Sequence, residues 1–228
     1  TADRKCRQAI RKIISNNPDA FVAVVGCYAQ LNPGAVAQIE GVDLVLGTDE
    51  KFNISSYIEN IEKKKAAEIH SCENIDKEGF NASWSSNDRT RSFLKVQDGC
   101  DYHCSYCTVP LARGASRNQP IEGIVNEAKS IVAAGVKEIV LTGVNVGDFG
   151  KSTGESLEEL LRALCRVEGL GRLRLSSIEP NLLTNDIIKL IASEPVLMPH
   201  IHMPLQSGND NILGLMRRRY KREIFRDR

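Results

Sequence analysis

Cys100, Cys104 and Cys107 lie within the run Gln-Asp-Gly-Cys-Asp-Tyr-His-Cys-Ser-Tyr-Cys-Thr-Val-Pro. Thiolates are soft ligands, and closed structural zinc sites and electron-transfer iron–sulfur clusters take four protein ligands. Here the spacing supplies three, with no fourth cysteine nearby. The expected chemistry is a [4Fe–4S] cluster with one iron left open for a cofactor or substrate. A zinc ribbon or a set of structural cysteines is the competing reading, but no second Cys or His pair stands at zinc-finger spacing.

The elements that must position this loop read as α/β. In the first part, a basic amphipathic helix through Ile13 is followed by a strand at Phe21 to Val25, a helix after Pro33 and a strand at Leu44 to Leu46. This predicts a small open α/β domain over 1–62. The composition turns polar around a lone Trp84, so a linker is expected over 63–90. From 91 onward, strands and helices alternate. Strands are predicted at Phe93 to Val96, Lys137 to Leu141, Leu173 to Ile178 and Ile201 to Leu205. The first helix carries the stripe Ile121, Ile124, Val125, Ala128, Ile131 and Val132, with Gly135 as its C-terminal stop. Ser156 and Glu159 form a capping-box pattern before Leu157, Leu160, Leu161 and Leu164, and Thr184 opens a third helix. Parallel βα units of this kind collect chemistry on the loops after their strands. The cysteine loop follows the first strand.

Composition narrows the class. With 42% apolar and 26% charged residues and no apolar run near the roughly 18 of a membrane span, the chain reads as soluble and globular. It begins at Thr1 and shows no signal peptide, which leaves an earlier N-terminal piece compatible with the sequence. A net charge of +1 does not point to nucleic acid, whereas the local clusters Arg4, Lys5, Arg7, Arg11, Lys12 and Arg217, Arg218, Arg219, Lys221, Arg222 are candidates. Seven cysteines, an odd number with three together, fit metal binding in a reducing cytoplasm better than a disulfide framework.

The cysteine loop, the βα series, Leu-Ser-Ser-Ile-Glu-Pro at 175–180, His-Met-Pro-Leu-Gln-Ser-Gly at 202–208 and the following Met-Arg-Arg-Arg-Tyr together resemble the radical SAM methylthiotransferases over nearly the whole chain. Ser-Ser-Ile-Glu-Pro is most similar to the branch acting on N6-threonylcarbamoyladenosine in tRNA. The alternatives are branches acting on isopentenyladenosine tRNA or a ribosomal protein and, from another class, a non-catalytic metal-cluster module that binds RNA. The resemblance implies an incomplete N-terminal methylthiotransferase domain followed by a partial radical SAM (β/α) barrel over 91–228. That barrel would stop before its last strands and an RNA-binding TRAM domain, and a chain so cut is not expected to turn over alone.

The resemblance also implies residue roles. Cys100, Cys104 and Cys107 would hold the [4Fe–4S] cluster that binds S-adenosyl-L-methionine. Cys27, in Val-Val-Gly-Cys-Tyr-Ala-Gln, would be one ligand of an auxiliary [4Fe–4S] cluster whose other two cysteines lie upstream in family members. Thr142, Gly143 and Asn145 would meet the amino-acid end of SAM, with an ordinary tight turn as the alternative. Ser177, Glu179 and Gln206 are further candidates at strand ends. His103 would be a wall of the site, and Cys6, Cys72 and Cys165 are structural. His70, His200 and His202 have no assigned role. The implied reaction removes hydrogen from C2 of the adenine by radical chemistry and adds a methylthio group, with no general base required. The expected partners are the tRNA anticodon loop, met by Arg217 to Arg222 with Arg113 and Arg117, and an electron donor such as flavodoxin or ferredoxin; neither membrane nor DNA is expected.

Overall fold

The computed structural model describes residues 2–59, 61–72, 79–86 and 90–228. They form two compact units, Thr1–Asp76 with Leu111–Gly114, and Lys77–Pro110 with Ala115–Arg228. Among the described residues no helix is long and apolar enough to cross a membrane.

In the first unit the basic segment forms α1 (Ala2–Asn16), which lays Ile10 and Ile14 against a core containing Val22, Val36 and Val45. The chain continues through β1 (Ala23–Val25), α2 (Cys27–Leu31), α3 (Pro33–Ala37), β2 (Leu44–Leu46), α4 (Ile54–Tyr57) and β3 (Glu68–His70). The sheet is wholly parallel in the order β1-β2-β3. Its middle strand is fully buried, as a parallel strand between two neighbours should be. Asp43 enters that core as a carboxylate, accepting from the amides of Val22 and Lys64, both at 2.7 Å, and from Lys63 Nζ at 3.0 Å.

The second unit holds the four-stranded sheet β4 (Ser83–Trp84), β5 (Ser92–Lys95), β6 (Glu138–Thr142) and β7 (Arg172–Leu175), in that order. The first pair is antiparallel and the others are parallel. After β5 come α5 (Val109–Arg113), counted partly with the first unit, and α6 (Ile121–Ala133); α7 (Leu157–Cys165) joins β6 to β7, and α8 (Asn185–Ser193) follows. The apolar stripes of α6, α7 and α8 pack with Leu94, Ile139, Leu141 and Leu173 into one core. Each fully buried Leu or Ile there contributes about 1.5–3 kcal/mol. The helix stops are as expected: Gly135 turns left-handed past α6, and Ser156 and Thr184 cap α7 and α8 by accepting from Glu159 N and Ile187 N. The Glu159 carboxylate accepts from the Ser156 hydroxyl at 2.8 Å.

Two expectations are corrected. The polar stretch read as a linker supplies β3 to one sheet and β4 to the other; its residues 73–78 and 87–89 lie outside those described. An edge strand is held by backbone pairing and does not need the apolar alternation that marks a half-buried one. The fourth parallel strand at 201–205 is not formed. Among the described residues its only contact of this kind is the isolated bridge of His202 with Ser177, with Leu197 bridging Leu173 ahead of it; Pro199 before the segment and Pro204 within it cannot donate to a ladder. It leads into α9 (Asp210–Leu215) and α10 (Arg222–Asp227).

Candidate functional site

The cysteine loop is pinned at its base. Asp98 and Arg117 pair as an antiparallel bridge, N–H to O at 3.0 and 2.9 Å in the two directions, and Arg117 Nη2 lies 3.3 Å from the Asp98 carboxylate. Gln97, buried at the end of β5, laces the loop together. Its Nε2 lies 3.0 Å from the Asp98 carbonyl, 2.7 Å from that of Gly99 and 2.9 Å from Ser116 Oγ, while its Oε1 accepts from Asn145 N–H at 2.9 Å. One side chain thereby ties the loop after β5 to the loop after β6.

Within this frame Cys100, Tyr102 and Cys104 are buried together, with Cys107, Val109, Val144 and Leu182 packed against them. Val144 comes from the loop after β6 and Leu182 from the segment after β7, so three loops at the C-terminal ends of parallel strands meet around the cysteines. Tyr102 N–H lies 3.4 Å from Cys100 Sγ, and its hydroxyl accepts from Asn181 at 2.9 Å. Burial pushes the Cys100 thiol up to about 11, opposed by the Tyr102 amide and reinforced by the charge of Asp148. A metal must therefore displace its proton at neutral pH.

Arg218 closes the site from the far end of the chain. Arg217 adopts a left-handed φ of 57°, and the chain then turns the Arg218 guanidinium to 3.3 Å from Cys104 Sγ and 3.1 Å from the Tyr106 hydroxyl. Arg218 Nη2 donates to both carboxylate oxygens of Glu179. Burial holds the Glu179 carboxyl above its ordinary range against the pull of Arg218; burial likewise opposes the charge of Arg218, but Glu179 outweighs it and raises the guanidinium. Arg219 stacks 4.2 Å from the Tyr102 ring and donates to the Asp101 carbonyl at 2.7 Å.

The donor set fits an iron–sulfur cluster. Among the described residues no three His, Cys, Asp or Glu side chains converge to hold a single metal ion. A cluster binds each cysteine through a different iron, so three thiols on one pinned loop, with hydrogen-bond donors near two of the sulfurs, suit it.

The other expected site residues divide. Asn145 is buried, donating to Asp148 at 3.0 Å, while its own Oδ1 is buried without a partner. Thr142 commits its hydroxyl to the Leu94 carbonyl at 3.2 Å. A Cβ at Gly143 would crowd Gln97, standing 2.8 Å from its Oε1, 3.0 Å from its Cβ and 3.1 Å from its carbonyl oxygen, so contacts within the protein already account for a small residue there. Ser177 Oγ sits 2.6 Å from His202 Nδ1. The Gln206 side chain is exposed, on a left-handed backbone with φ 65°. Cys27 is exposed at the first turn of α2 in the first unit. His103 is also exposed, and the wall expected of it is supplied by Tyr102. Arg218 and Arg117 pair internally and are not free for phosphate; Arg217, Arg219, Lys221 and Arg222 remain exposed. Sequence reasoning missed Gln97 and Tyr102, whose only signal was their place beside the cysteines.

A family model described as the radical SAM superfamily matches residues 94–227. The chain is 39% identical over its whole length to threonylcarbamoyladenosine tRNA methylthiotransferase MtaB of Bacillus subtilis, covering 51% of that protein. It is 40% identical over 99% of its length to the MtaB of Aquifex aeolicus, covering 55% of it. It is similar at 34% identity, over 96% of its length, to a tRNA-2-methylthio-N(6)-dimethylallyladenosine synthase of Clostridium botulinum, covering 50% of that protein. The chain spans about half the length of the curated relatives it matches.

Proposed function

The chain belongs to the radical SAM superfamily, and from that premise we propose that it is the cluster-bearing part of a tRNA methylthiotransferase acting at C2 of N6-threonylcarbamoyladenosine beside the anticodon. The observation that carries this reading is the packing of Cys100, Cys104 and Cys107 where three strand-end loops meet. Similarity near 40% identity to two threonylcarbamoyladenosine enzymes supports the substrate.

Cys100, Cys104 and Cys107 would hold a [4Fe–4S] cluster, and Cys27 would contribute to an auxiliary one. With SAM bound, such a cluster supplies the one-electron cleavage of a C–S bond that attack on an unactivated C–H requires. The chain's own residues do the positioning. Tyr102 N–H and the Arg218 guanidinium donate toward two of the sulfurs. Gln97 holds the β6 loop at a set distance from the cysteine loop, and Glu179 keeps Arg218 in place. Tyr102, Val144 and Leu182 exclude water from the cysteines. The exposed Arg217, Arg219, Lys221 and Arg222 would meet tRNA phosphates, and a flavodoxin or ferredoxin in the cytoplasm would supply electrons.

The test is anaerobic reconstitution of Cys104→Ala with iron and sulfide. The variant is expected to lose the visible cluster absorbance and all SAM cleavage, and retention of both would sink the reading. Nucleoside mass spectrometry of tRNA from cells lacking the protein should show threonylcarbamoyladenosine without its methylthio group.

A further inference from the structure

The parallel strands of the second unit bury Leu94, Leu141 and Leu175 on their helix-covered face. The side chains between them point the other way, and Phe93, Val140 and Arg174 lie in register across that second face. A hollow there is lined by Arg91, Phe93, Arg174, Ser177, His200 and His202, with Val140 contributing apolar floor. Its charge is unbalanced. Arg91, Arg172 and Arg174 approach the Glu138 carboxylate to 3.7, 3.7 and 2.8 Å, so three guanidiniums share one carboxylate. His200 is exposed at the rim, and His202 is oriented by its 2.6 Å contact from Nδ1 to the Ser177 hydroxyl.

We propose that this hollow is the specificity pocket for the N6 substituent of the adenosine, taking its carboxylate against Arg91 and His200. The proposal rests on the methylthiotransferase reading above. The threonylcarbamoyl group ends in a carboxylate and a hydroxyl on a short aliphatic stem, matching a cationic rim over an apolar floor. A dimethylallyl group fills the floor but brings no second anion to the guanidiniums that share Glu138. Arg91 and His200 are exposed, so discrimination comes from the charge-assisted contact that only the carboxylate-bearing group makes, not from stranding buried partners. His202 and Ser177, already paired with each other, are placed to meet the hydroxyl.

The test is binding of two anticodon stem-loop RNAs to the native protein, read by fluorescence anisotropy. The RNAs differ only in carrying threonylcarbamoyl or dimethylallyl on the same adenosine. Arg91→Gln and His200→Ala should each weaken binding of the threonylcarbamoyl RNA by about tenfold, the loss of one charge-assisted hydrogen bond, and leave the dimethylallyl RNA within about twofold. Arg91→Lys should recover part of the loss. Equal weakening of both RNAs would reassign Arg91 and His200 to general RNA contact and overturn the proposal. Loss of SAM binding in equilibrium dialysis would give the hollow to the cofactor and overturn it as well. A wild-type preference that survives both substitutions removes this inference alone. A wild-type protein without any preference removes the methylthiotransferase substrate reading and this inference with it.

Discussion

Arg218→Met isolates the contact that closes the cysteine site. The guanidinium is nearly buried, with 5% of its side chain exposed, and the Glu179 carboxylate it holds is 13% exposed. Methionine fills much of the volume but leaves Glu179 buried without a counter-charge. Breaking a buried ion pair from one side costs about 3–5 kcal/mol. Glu179 keeps some solvent access, so the lower end, about 3 kcal/mol, is expected. The lost contact to the exposed Tyr106 hydroxyl adds little. Urea unfolding followed by fluorescence of Trp84, the one tryptophan, reports on the second unit because Trp84 packs against its core. Arg218→Met/Glu179→Gln removes both charges and should recover stability to within about 1 kcal/mol of wild type. A single variant losing under about 1 kcal/mol, or a double variant as unstable as the single, would refute the assignment of Arg218 to a buried pair.

Two further perturbations address the frame. Gln97→Ala strands the Asn145 amide and the Gly99 carbonyl, about 1–3 kcal/mol for each group left unsatisfied; iodoacetamide should label Cys100 and Cys104 several-fold faster while exposed Cys6 is unchanged, and equal rates would contradict the lacing role. Asp43→Asn should destabilise the first unit at neutral pH by about 1–3 kcal/mol. Burial opposes the charge of Asp43, but the Lys64 and Val22 amides and the Lys63 ammonium outweigh it and hold the carboxyl below its ordinary range. The stabilisation is therefore present above the unfolded value near about 3.9 and lost as pH falls through the folded one; circular dichroism should show this acid-side loss in the wild type and not in the variant.

Helices and the cysteine loop were legible because their signals are local. The α6 and α7 stripes recur at helical spacing, and Ser156, Thr184 and Gly135 mark their ends. The apolar alternation of Ile201, Met203 and Leu205 misled, since prolines on both sides of His202 deny it a ladder. β4 was hidden because its two residues are held by the backbone of β5 and not by their own pattern. The roles of Arg117 and Arg218 were hidden for another reason. A charge run reads as solvated unless its partner is known, and Asp98 and Glu179 are 19 and 39 residues away along the chain.

The bridge between Asp98 and Arg117 bears on how the site is filled. Gathering three cysteines from an open chain would leave the ordering entropy of the intervening loop to be overcome when metal arrives. Here folding has already joined the loop's ends and packed two of the thiols together. If these cysteines hold the proposed cluster, iron and sulfide would meet a preorganised chelate, in which binding to one thiol would raise the effective molarity of the others. Cluster assembly on the folded chain should therefore be cooperative.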